Sequence, residues 1–294
     1  MSKWELGTQK IKDGVYAYYT EGTLMRSNCG IISGTESSLL FDTLSTEKMY
    51  RDFLHATESC CSPRKFLALS HGHGDHIMTV HLVPETTVIA QTKTRDFMIE
   101  GDARLREVVA KNATPGLDFT GCRTVLPQIY FEKELIVSLG ERDILLRYPG
   151  DCHTQGDIYA YDKNSGTVFC GDLLFYKVAP VAIYNPLETW ICAMDEMLSL
   201  DAENYIPGHG PICGKKEVSL FRDYLQQMKE VAEDGFSKGI PSEEAVKQAH
   251  WGEVAFWEEP GRTYNNVEKA YCDLQKSNYV FDYNFARSLQ QIPE

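Results

Sequence analysis

The sequence of 294 residues lacks the features that mark several classes of protein. Acidic side chains outnumber basic ones by 42 to 29, which gives a formal net charge of −13, and no stretch is rich in lysine or arginine. Because this charge would repel a phosphate backbone or an anionic membrane surface, we predict neither nucleic acid nor membrane as a partner. No stretch reaches the roughly 18 apolar residues that a membrane helix needs.

Cysteines are scattered, and the features of a secreted protein are missing. The nine cysteines are an odd number and form no C-x-x-C pair, and the adjacent Cys60 and Cys61 are too close for an ordinary disulfide. The first residues, MSKWELGTQKIKDGVYAYY, lack the apolar run of a secretory signal. We therefore expect reduced thiols and a cytoplasmic location.

The composition that remains is that of a folded globular protein, with 43% hydrophobic and 24% charged residues. Helical spacing predicts one helix after Ser45, a plausible cap, and another over residues 95–110. The turn sequence KNSG at residues 163–166 predicts a hairpin. Short apolar stretches predict strands that begin at Gly14, Cys29, Ser38, Lys65, Cys122, Glu134, Asp143, Ile158 and Thr167. Strands with interspersed helices indicate a layered α/β architecture, with helices covering sheets.

The last eighty residues have a different pattern. The segments EVSLFRDYLQQMKEVAEDG, EEAVKQAHWGEVAFW and NNVEKAYCDLQKSNYVFDYNFARSLQ have helical periods, separated by breakers at Gly239 with Pro241 and at Pro260 with Gly261. Large side chains in this tail could line a substrate pocket or a homodimer interface, although packing on the rest of the chain is the simpler expectation. They are Trp251, Trp257, Arg262, Tyr264 and Tyr271.

A cluster of histidines is the strongest chemical signal in the sequence. Three of the eight histidines fall within SHGHGDHI, directly after the apolar strand KFLAL. Residues two apart in an extended segment point the same way, so His71 and His73 can converge on one cation. Asp75 and His76 lie at the start of a following helix and face a position beside that cation. This turn alone therefore offers four potential metal ligands.

Three later segments each place one more potential ligand at a strand end or turn, where side chains can project into a cleft. They are His153 in PGDCHTQGD, Asp172 in FCGDLLF and His209 in YIPGHGP. Taken singly, each has an ordinary explanation as a strand cap, a turn residue or a loop histidine.

Taken together, these motifs resemble the metallo-β-lactamase superfamily over residues 13–228. The resemblance rests on H-x-H-x-D-H, a later His before T-x-G-D, G-D-L-L-F and P-G-H-G, in this order. It implies an α/β fold, a four-layer αβ/βα sandwich formed by residues 1–228, with residues 229–294 packed on it as a helical extension. It implies one metal held by His71, His73 and His153, a second held by Asp75, His76 and His209, and Asp172 bridging both. Nitrogen and oxygen ligands suit two divalent ions, zinc first, with iron or manganese as alternatives.

The resemblance implies a hydrolase of the glyoxalase II-like or lactonase-like branch, acting on a small molecule. Zinc lowers the pKa of bound water from about 15.7 to about 7, so we expect a metal-bridging hydroxide to attack a thioester, lactone, ester or lactam. Asp75 is the expected catalytic residue, orienting the hydroxide and moving its proton. Two alternatives remain: a non-haem iron oxidoreductase resembling persulfide dioxygenases, and a metal-dependent phosphodiesterase.

Supporting roles are also predicted around these ligands. Asp42, at the end of SLLFD, either stabilises the metal loop from beneath or caps the helix that follows. Asp157 would similarly support His153, although a polar residue at a strand edge is the simpler interpretation. Tyr176, Lys177 and Tyr184, which follow Asp172, are the predicted substrate pocket.

The chain departs from the family pattern before His153, where Asp151 and Cys152 separate the Pro-Gly pair from the histidine. Cys152 and Cys170 therefore lie close in sequence to predicted ligands. A thiol at the metals is one interpretation, and a small buried hydrophobic side chain is the more common one.

Overall fold

The structure is a computed structural model that describes residues 5–22, 25–111, 117–280 and 292–293, without the side chains of residues 102–111. In this part of the chain, the strands form one seven-stranded and one five-stranded sheet. Hydrophobic clusters lie between the two sheets and on the outer face of each, beneath helices. The predicted four-layer α/β fold with a C-terminal helical region is confirmed.

The first sheet has its strands in sequence order and changes from antiparallel to parallel pairing at its fourth strand. Its strands are β1 (Gly7–Lys12), β2 (Val15–Tyr19), β3 (Cys29–Ser33), β4 (Ser38–Phe41), β5 (Arg64–Ala68), β6 (Thr87–Gln91) and β7 (Ile129–Phe131). Helices α1 (Glu47–Ala56), α2 (Gly74–Ile77) and α3 (Thr92–Lys111) follow β4, β5 and β6. β3 and β4 are apolar on both faces because the sheet is covered on both sides.

The second sheet has the order β12-β11-β10-β9-β8, and only its β11–β12 pair is parallel. Its strands are β8 (Glu134–Ser138), β9 (Asp143–Arg147), β10 (Tyr159–Asp162), β11 (Thr167–Phe175) and β12 (Asn204–His209). The helices on its outer side are α4 (Leu187–Ser199), α5 (Lys215–Ser237), α6 (Ser242–Gln248) and α7 (Arg262–Gln275). Among the described residues, no helix combines the length and apolar character needed to cross a bilayer.

Most predicted strands are confirmed, and so is the hairpin turn between β10 and β11. The predicted strand at Cys122 is wrong, because the amides of Cys122 and Arg123 bond to Phe119 and Met78 instead of to a neighbouring strand. The predicted cap at Ser45 is also wrong, since the Thr46 hydroxyl accepts from the Met49 amide. Strands β1, β6, β7 and β12 and helix α4 are not among the elements that the sequence predicts.

Two helices of the C-terminal tail are shorter than the helical segments that the sequence predicts. α6 ends at Gln248, and residues 252–256 form a separate short 3₁₀ turn that begins at Gly252, where φ is 59°. α7 ends at Gln275. The predicted helical segment continues beyond this residue, and its part from residue 281 onwards lies outside the described residues. The five large side chains of this tail are all buried, against the second sheet and its helices. α5 runs through residue 228, and the division into two domains there stays a prediction.

Candidate metal centre

The predicted ligands lie at one edge of the two sheets. Parallel strands end at the same edge, so β4 and β5 bring residue 42 and the segment 70–76 together. The parallel strands β11 and β12 do the same for Asp172 and His209. Gly208 lies so close to Asp172 that a Cβ at this glycine would be 1.9 Å from the Asp172 Oδ1 atom. His153 comes from the loop between β9 and β10.

Two groups of side chains in this cluster could each hold a metal ion. The ligand atoms within each group all lie within 4.8 Å of one another. The first group is His71, His73, His153 and Asp172, and the second is Asp75, His76 and His209. In the first group, the His153 Nε2 atom lies 3.0 Å from His73 Nδ1 and 3.2 Å from Asp172 Oδ2. In the second, the His209 Nε2 atom lies 3.4 Å from Asp75 Oδ2.

Asp172 lies between the two groups. Its Oδ1 atom is 3.1 Å from the His76 Nε2 atom, and its Oδ2 atom is 3.4 Å from the His209 Nε2 atom. The same Oδ2 atom is 3.8 Å from the His71 Nε2 atom of the first group. The structure therefore brings together all seven side chains that the sequence predicts as ligands.

Two of these imidazoles form hydrogen bonds through the nitrogen that faces away from the cluster. The Nδ1 atoms of His153 and His209 donate to the backbone carbonyls of Val181 and Arg26, each over 2.9 Å. A carbonyl can only accept, so each of these rings carries its proton on Nδ1 and presents the lone pair of Nε2 to the cluster. These carbonyls went unpredicted because a backbone group has no residue-type signal.

Asp42 orients two more imidazoles from beneath the cluster. It is fully buried, and it accepts hydrogen bonds from the Ser70 amide (2.6 Å), the Ser70 hydroxyl (2.7 Å) and His76 Nδ1 (2.8 Å). Since the Ser70 hydroxyl donates to Asp42, it accepts from His71 Nδ1, 2.9 Å away. The supporting role predicted for Asp42 matches this geometry, and the capping alternative is wrong because Thr46 caps α1.

The electrostatics of the cluster favour cation binding. Burial lowers the pKa of His71, and it lowers that of His153 to about 3, so both rings stay neutral and can coordinate. Burial alone would raise the pKa of Asp172, but His209 and His76 hold it well below its ordinary value, and against the effect of burial the carboxylates in turn raise the pKa of His76. The Asp172 carboxylate is therefore ionised.

Three buried polar atoms in the cluster have no hydrogen-bond partner in the described part of the chain. They are His71 Nε2, His76 Nε2 and Asp172 Oδ1; the last two lie 3.1 Å apart but do not form a hydrogen bond with each other. Leaving such atoms unpaired costs about 1–3 kcal/mol each, and a bound cation would satisfy all of them. Five imidazoles and two carboxylates form a donor set that suits zinc and related divalent ions, so the residues fit the metals that the sequence predicts.

The loop that carries His153 is anchored by two carboxylates. Asp157 accepts from the amide and hydroxyl of Thr154, both at 2.7 Å, and its burial raises its pKa to about 7. Asp151, one of the two residues that depart from the family pattern, contacts Lys93 Nζ at 2.6 Å and the Tyr148 hydroxyl at 2.7 Å. Asp157 thus stabilises this loop through Thr154 rather than through the His153 ring.

The three predicted pocket residues lie in different places. The Tyr184 hydroxyl is 3.3 Å from His73 Nε2, and Phe97, which the sequence did not indicate, packs on the same imidazole with ring centroids 5.9 Å apart. Tyr176 instead packs on Trp257, and the Lys177 ammonium lies over the Tyr176 ring. Of the three side chains, that of Tyr184 packs on the histidine cluster, whereas Tyr176 contacts His209 through its backbone amide, which donates to the His209 carbonyl over 3.2 Å.

The cysteines near the ligands are buried hydrophobic side chains. Cys152 and Cys170 belong to the apolar cluster on the outer face of the second sheet, and burial raises the pKa of both thiols. Neither joins a group of potential metal ligands in the described chain.

Comparison with known proteins agrees with this geometry. The profile of the "Metallo-beta-lactamase superfamily" matches residues 22–209, which include all seven predicted ligands. The chain belongs to the metallo-β-lactamase superfamily. Members of the superfamily are mostly hydrolytic enzymes, and the His and Asp groups of this member are candidate divalent-metal sites.

The individual proteins that this chain resembles are distant in sequence. The uncharacterized protein YobT of Bacillus subtilis (strain 168) is 26% identical over 148 residues, and the match spans 49% of this chain and 60% of that protein. A metallo-β-lactamase from Pontibacter korlensis has a TM-score of 0.59 at 20% identity, covering 76% of this chain and 99% of its own. The inverting sec-alkylsulfatase Pisa1 from Pseudomonas sp. has a TM-score of 0.72 at 17% identity, covering 97% of this chain and 52% of its own.

Proposed function

We propose that the protein is a binuclear metal-dependent hydrolase of a small acyl substrate: a thioester, lactone, ester or lactam. The observation that carries this proposal is a pair of adjacent ligand groups in which four of the five imidazoles already donate from Nδ1 to other acceptors: His71, His76, His153 and His209. His71, His73 and His153 would hold one ion, Asp75, His76 and His209 the other, and Asp172 would contact both. When bound, two divalent ions, preferably zinc, supply Lewis acidity and lower the pKa of coordinated water towards about 7.

The other catalytic parts come from the chain itself. The Asp75 side chain is 12% exposed, against 4% for Asp172, so it is the more accessible carboxylate of the cluster. Asp75 can therefore accept a proton from water and return it to the leaving group. Phe97 and Tyr184 pack together beside His73, with ring centroids 6.4 Å apart, and supply an aromatic surface for the apolar part of a substrate.

A second candidate function is hydrolysis of an alkyl sulfate ester. The observation that favours it is the extent of the structural likeness: the alkylsulfatase covers 97% of this chain, helical tail included, whereas the Pontibacter korlensis enzyme covers 76%. Two divalent ions outweigh the two carboxylates of the cluster, so the loaded site would attract the anionic oxygens of a sulfate ester as well as a developing oxyanion.

A substrate panel tests the proposal. Thioesters, lactones, β-lactams, phosphodiesters and sec-alkyl sulfates are assayed before chelation, after chelation and after return of zinc. We expect turnover of an acyl substrate that chelation abolishes and zinc restores, and that D172N removes. The matched control is D162N, because Asp162 is an equally buried carboxylate on β10 that binds Arg142 and Ser165. Turnover of sulfates alone would select the second candidate, and turnover that survives chelation would contradict both.

A further inference from the structure

We infer that Asn266 of helix α7 is a positioning residue for the metal ligand His153, acting through the backbone of residues 180–182. This inference rests on the proposed function, since it takes His153 as a ligand. It assigns the C-terminal helices a part in metal binding.

The C-terminal region holds the segment that follows β11. Five hydrogen bonds connect residues 177–182 to Glu258 and to α7. The backbone of Glu258 pairs with Lys177 and Ala179, and the Arg262 guanidinium donates to the Ala179 carbonyl over 2.9 Å. Asn266 lies one helical turn after Arg262 and therefore faces the same segment.

Asn266 contacts this segment on both sides of Val181. Its side-chain Nδ2 atom donates to the Pro180 carbonyl, and its Oδ1 atom accepts from the Ala182 amide, both over 2.9 Å. The side chain is buried, with 1% of the residue exposed, so water does not compete for these bonds. Because both peptide groups that flank Val181 are held, the direction of the Val181 carbonyl is fixed.

The Val181 carbonyl in turn fixes the His153 ring. It accepts the Nδ1 proton of His153 over 2.9 Å, which leaves the Nε2 lone pair pointing into the first ligand group. The same segment also holds the loop around this histidine, because the Asn185 Nδ2 atom donates to the carbonyls of Cys152 (3.1 Å) and Thr154 (2.7 Å). A single stretch, residues 180–185, thus orients both the ring and the backbone of His153.

The second ligand group depends on other supports. His76 is oriented by Asp42 at the end of β4, and His209 by the carbonyl of Arg26 ahead of β3. Neither contact involves residues 177–185 or α7. Loss of the Asn266 side chain should therefore weaken one metal site and leave the other unchanged, which a general loss of stability would not do.

The experiment compares N266A and N266D with the parent and with V267A. Val267 is the next residue of α7, fully buried in the apolar cluster, so V267A weakens helix packing while leaving the Asn266 contacts in place. N266D keeps the acceptor for the Ala182 amide but places an oxygen against the Pro180 carbonyl. Zinc is titrated into metal-free full-length protein against a competing chelator, and the His153 ring is followed by ¹⁵N NMR. Unfolding temperatures are measured in parallel.

We expect N266A to weaken the first zinc site about tenfold or more, the usual effect of losing an outer support of a metal ligand, while the second keeps the parent affinity. The Nδ1–H signal of His153 should shift or broaden in metal-free N266A. N266D should also weaken the first site, and V267A should lower the unfolding temperature without changing either affinity. If N266A does not fold, N266D carries the same comparison, again with a loss expected at the first site alone.

Two outcomes would overturn the inference: equal affinities of parent and Asn266 variants at both sites, or an equal loss in V267A. A parent protein that binds no zinc at either group would instead contradict the proposed function, so the two failures are distinguishable.

Discussion

Replacement of Asp42 by asparagine should disable the metal centre without unfolding the chain. Asp42 has φ of 58°, a left-handed conformation that asparagine adopts more readily than most residues, so the backbone should tolerate the change. The Ser70 amide donates to one carboxylate oxygen, while the Ser70 hydroxyl and His76 Nδ1 donate to the other. A side-chain amide has only one oxygen, so either orientation of the asparagine side chain in D42N places an N–H group against a donor.

His76 should respond to D42N by changing its tautomer. If the new amide nitrogen faces His76, the Nδ1 atom must accept, and the ring proton moves to Nε2, 3.1 Å from Asp172 Oδ1. The lone pair that would bind metal is then lost. Loss of a residue that hydrogen-bonds to a metal ligand typically weakens metal affinity about 10- to 100-fold, or by about 1.4–2.7 kcal/mol. Lost hydrogen bonds to the charged group cost about 1.5–3 kcal/mol each in stability.

The assay is zinc titration against a chelator, with thermal unfolding of the metal-free protein alongside. D162N is again the control, because it removes a buried carboxylate away from the cluster. We expect D42N to lose affinity at the group of Asp75, His76 and His209, and D162N to lose stability alone. Parent affinity in D42N at this group would refute the reasoning from Asp42 to His76.

Three further predictions concern single positions. G208A should lower the unfolding free energy by about 1–3 kcal/mol and reduce metal content, because its Cβ would be 1.9 Å from Asp172 Oδ1; G101A, whose nearest atom would be 3.8 Å away, should do neither. Y184A should raise KM for the substrate in protein saturated with zinc, a condition that compensates for the lost contact of the Tyr184 hydroxyl with His73 Nε2, and unchanged kinetics would remove Tyr184 from the pocket. The pKa of His153 falls from 6.5 to about 3 on folding, so below pH 6.5 the unfolded chain binds the proton first. The contribution of His153 to the stability of the metal-free protein should therefore fall as the pH falls from 6.5 towards 3, by up to about 1.4 kcal/mol per pH unit, whereas Asp157, whose pKa burial raises to about 7, acts in the opposite sense. In denaturant titrations, the stability of the parent relative to H153Q should fall over this range, and an unchanged difference would contradict the prediction.

The sequence predicts the ligands well because their spacing carries the chemistry. In the segment from His71 to His76, the alternation of an extended chain and the start of a short helix determine where each side chain points. The order of the later motifs then identifies the superfamily, and the superfamily implies the four-layer fold. Asp42 could be predicted for the same reason, since it ends an apolar strand beside the metal loop.

Other features depend on contacts between distant segments and have no local signal. The Val181 and Arg26 carbonyls orient ligands, but any residue has a carbonyl. The apolar stretch at Cys122 has strand composition, yet no neighbouring strand is available to pair with it in the described chain. Tyr176 and Tyr184 are equally plausible pocket residues in the sequence, and only the turn of the chain after β11 places one on Trp257 and the other on His73.

The most direct test of the metal centre is a crystal of the zinc-loaded protein with anomalous diffraction measured at the zinc absorption edge. We predict two peaks per chain. One should lie among His71, His73, His153 and Asp172, and the other among Asp75, His76 and His209. A single peak, peaks elsewhere, or none from protein saturated with zinc would contradict this prediction.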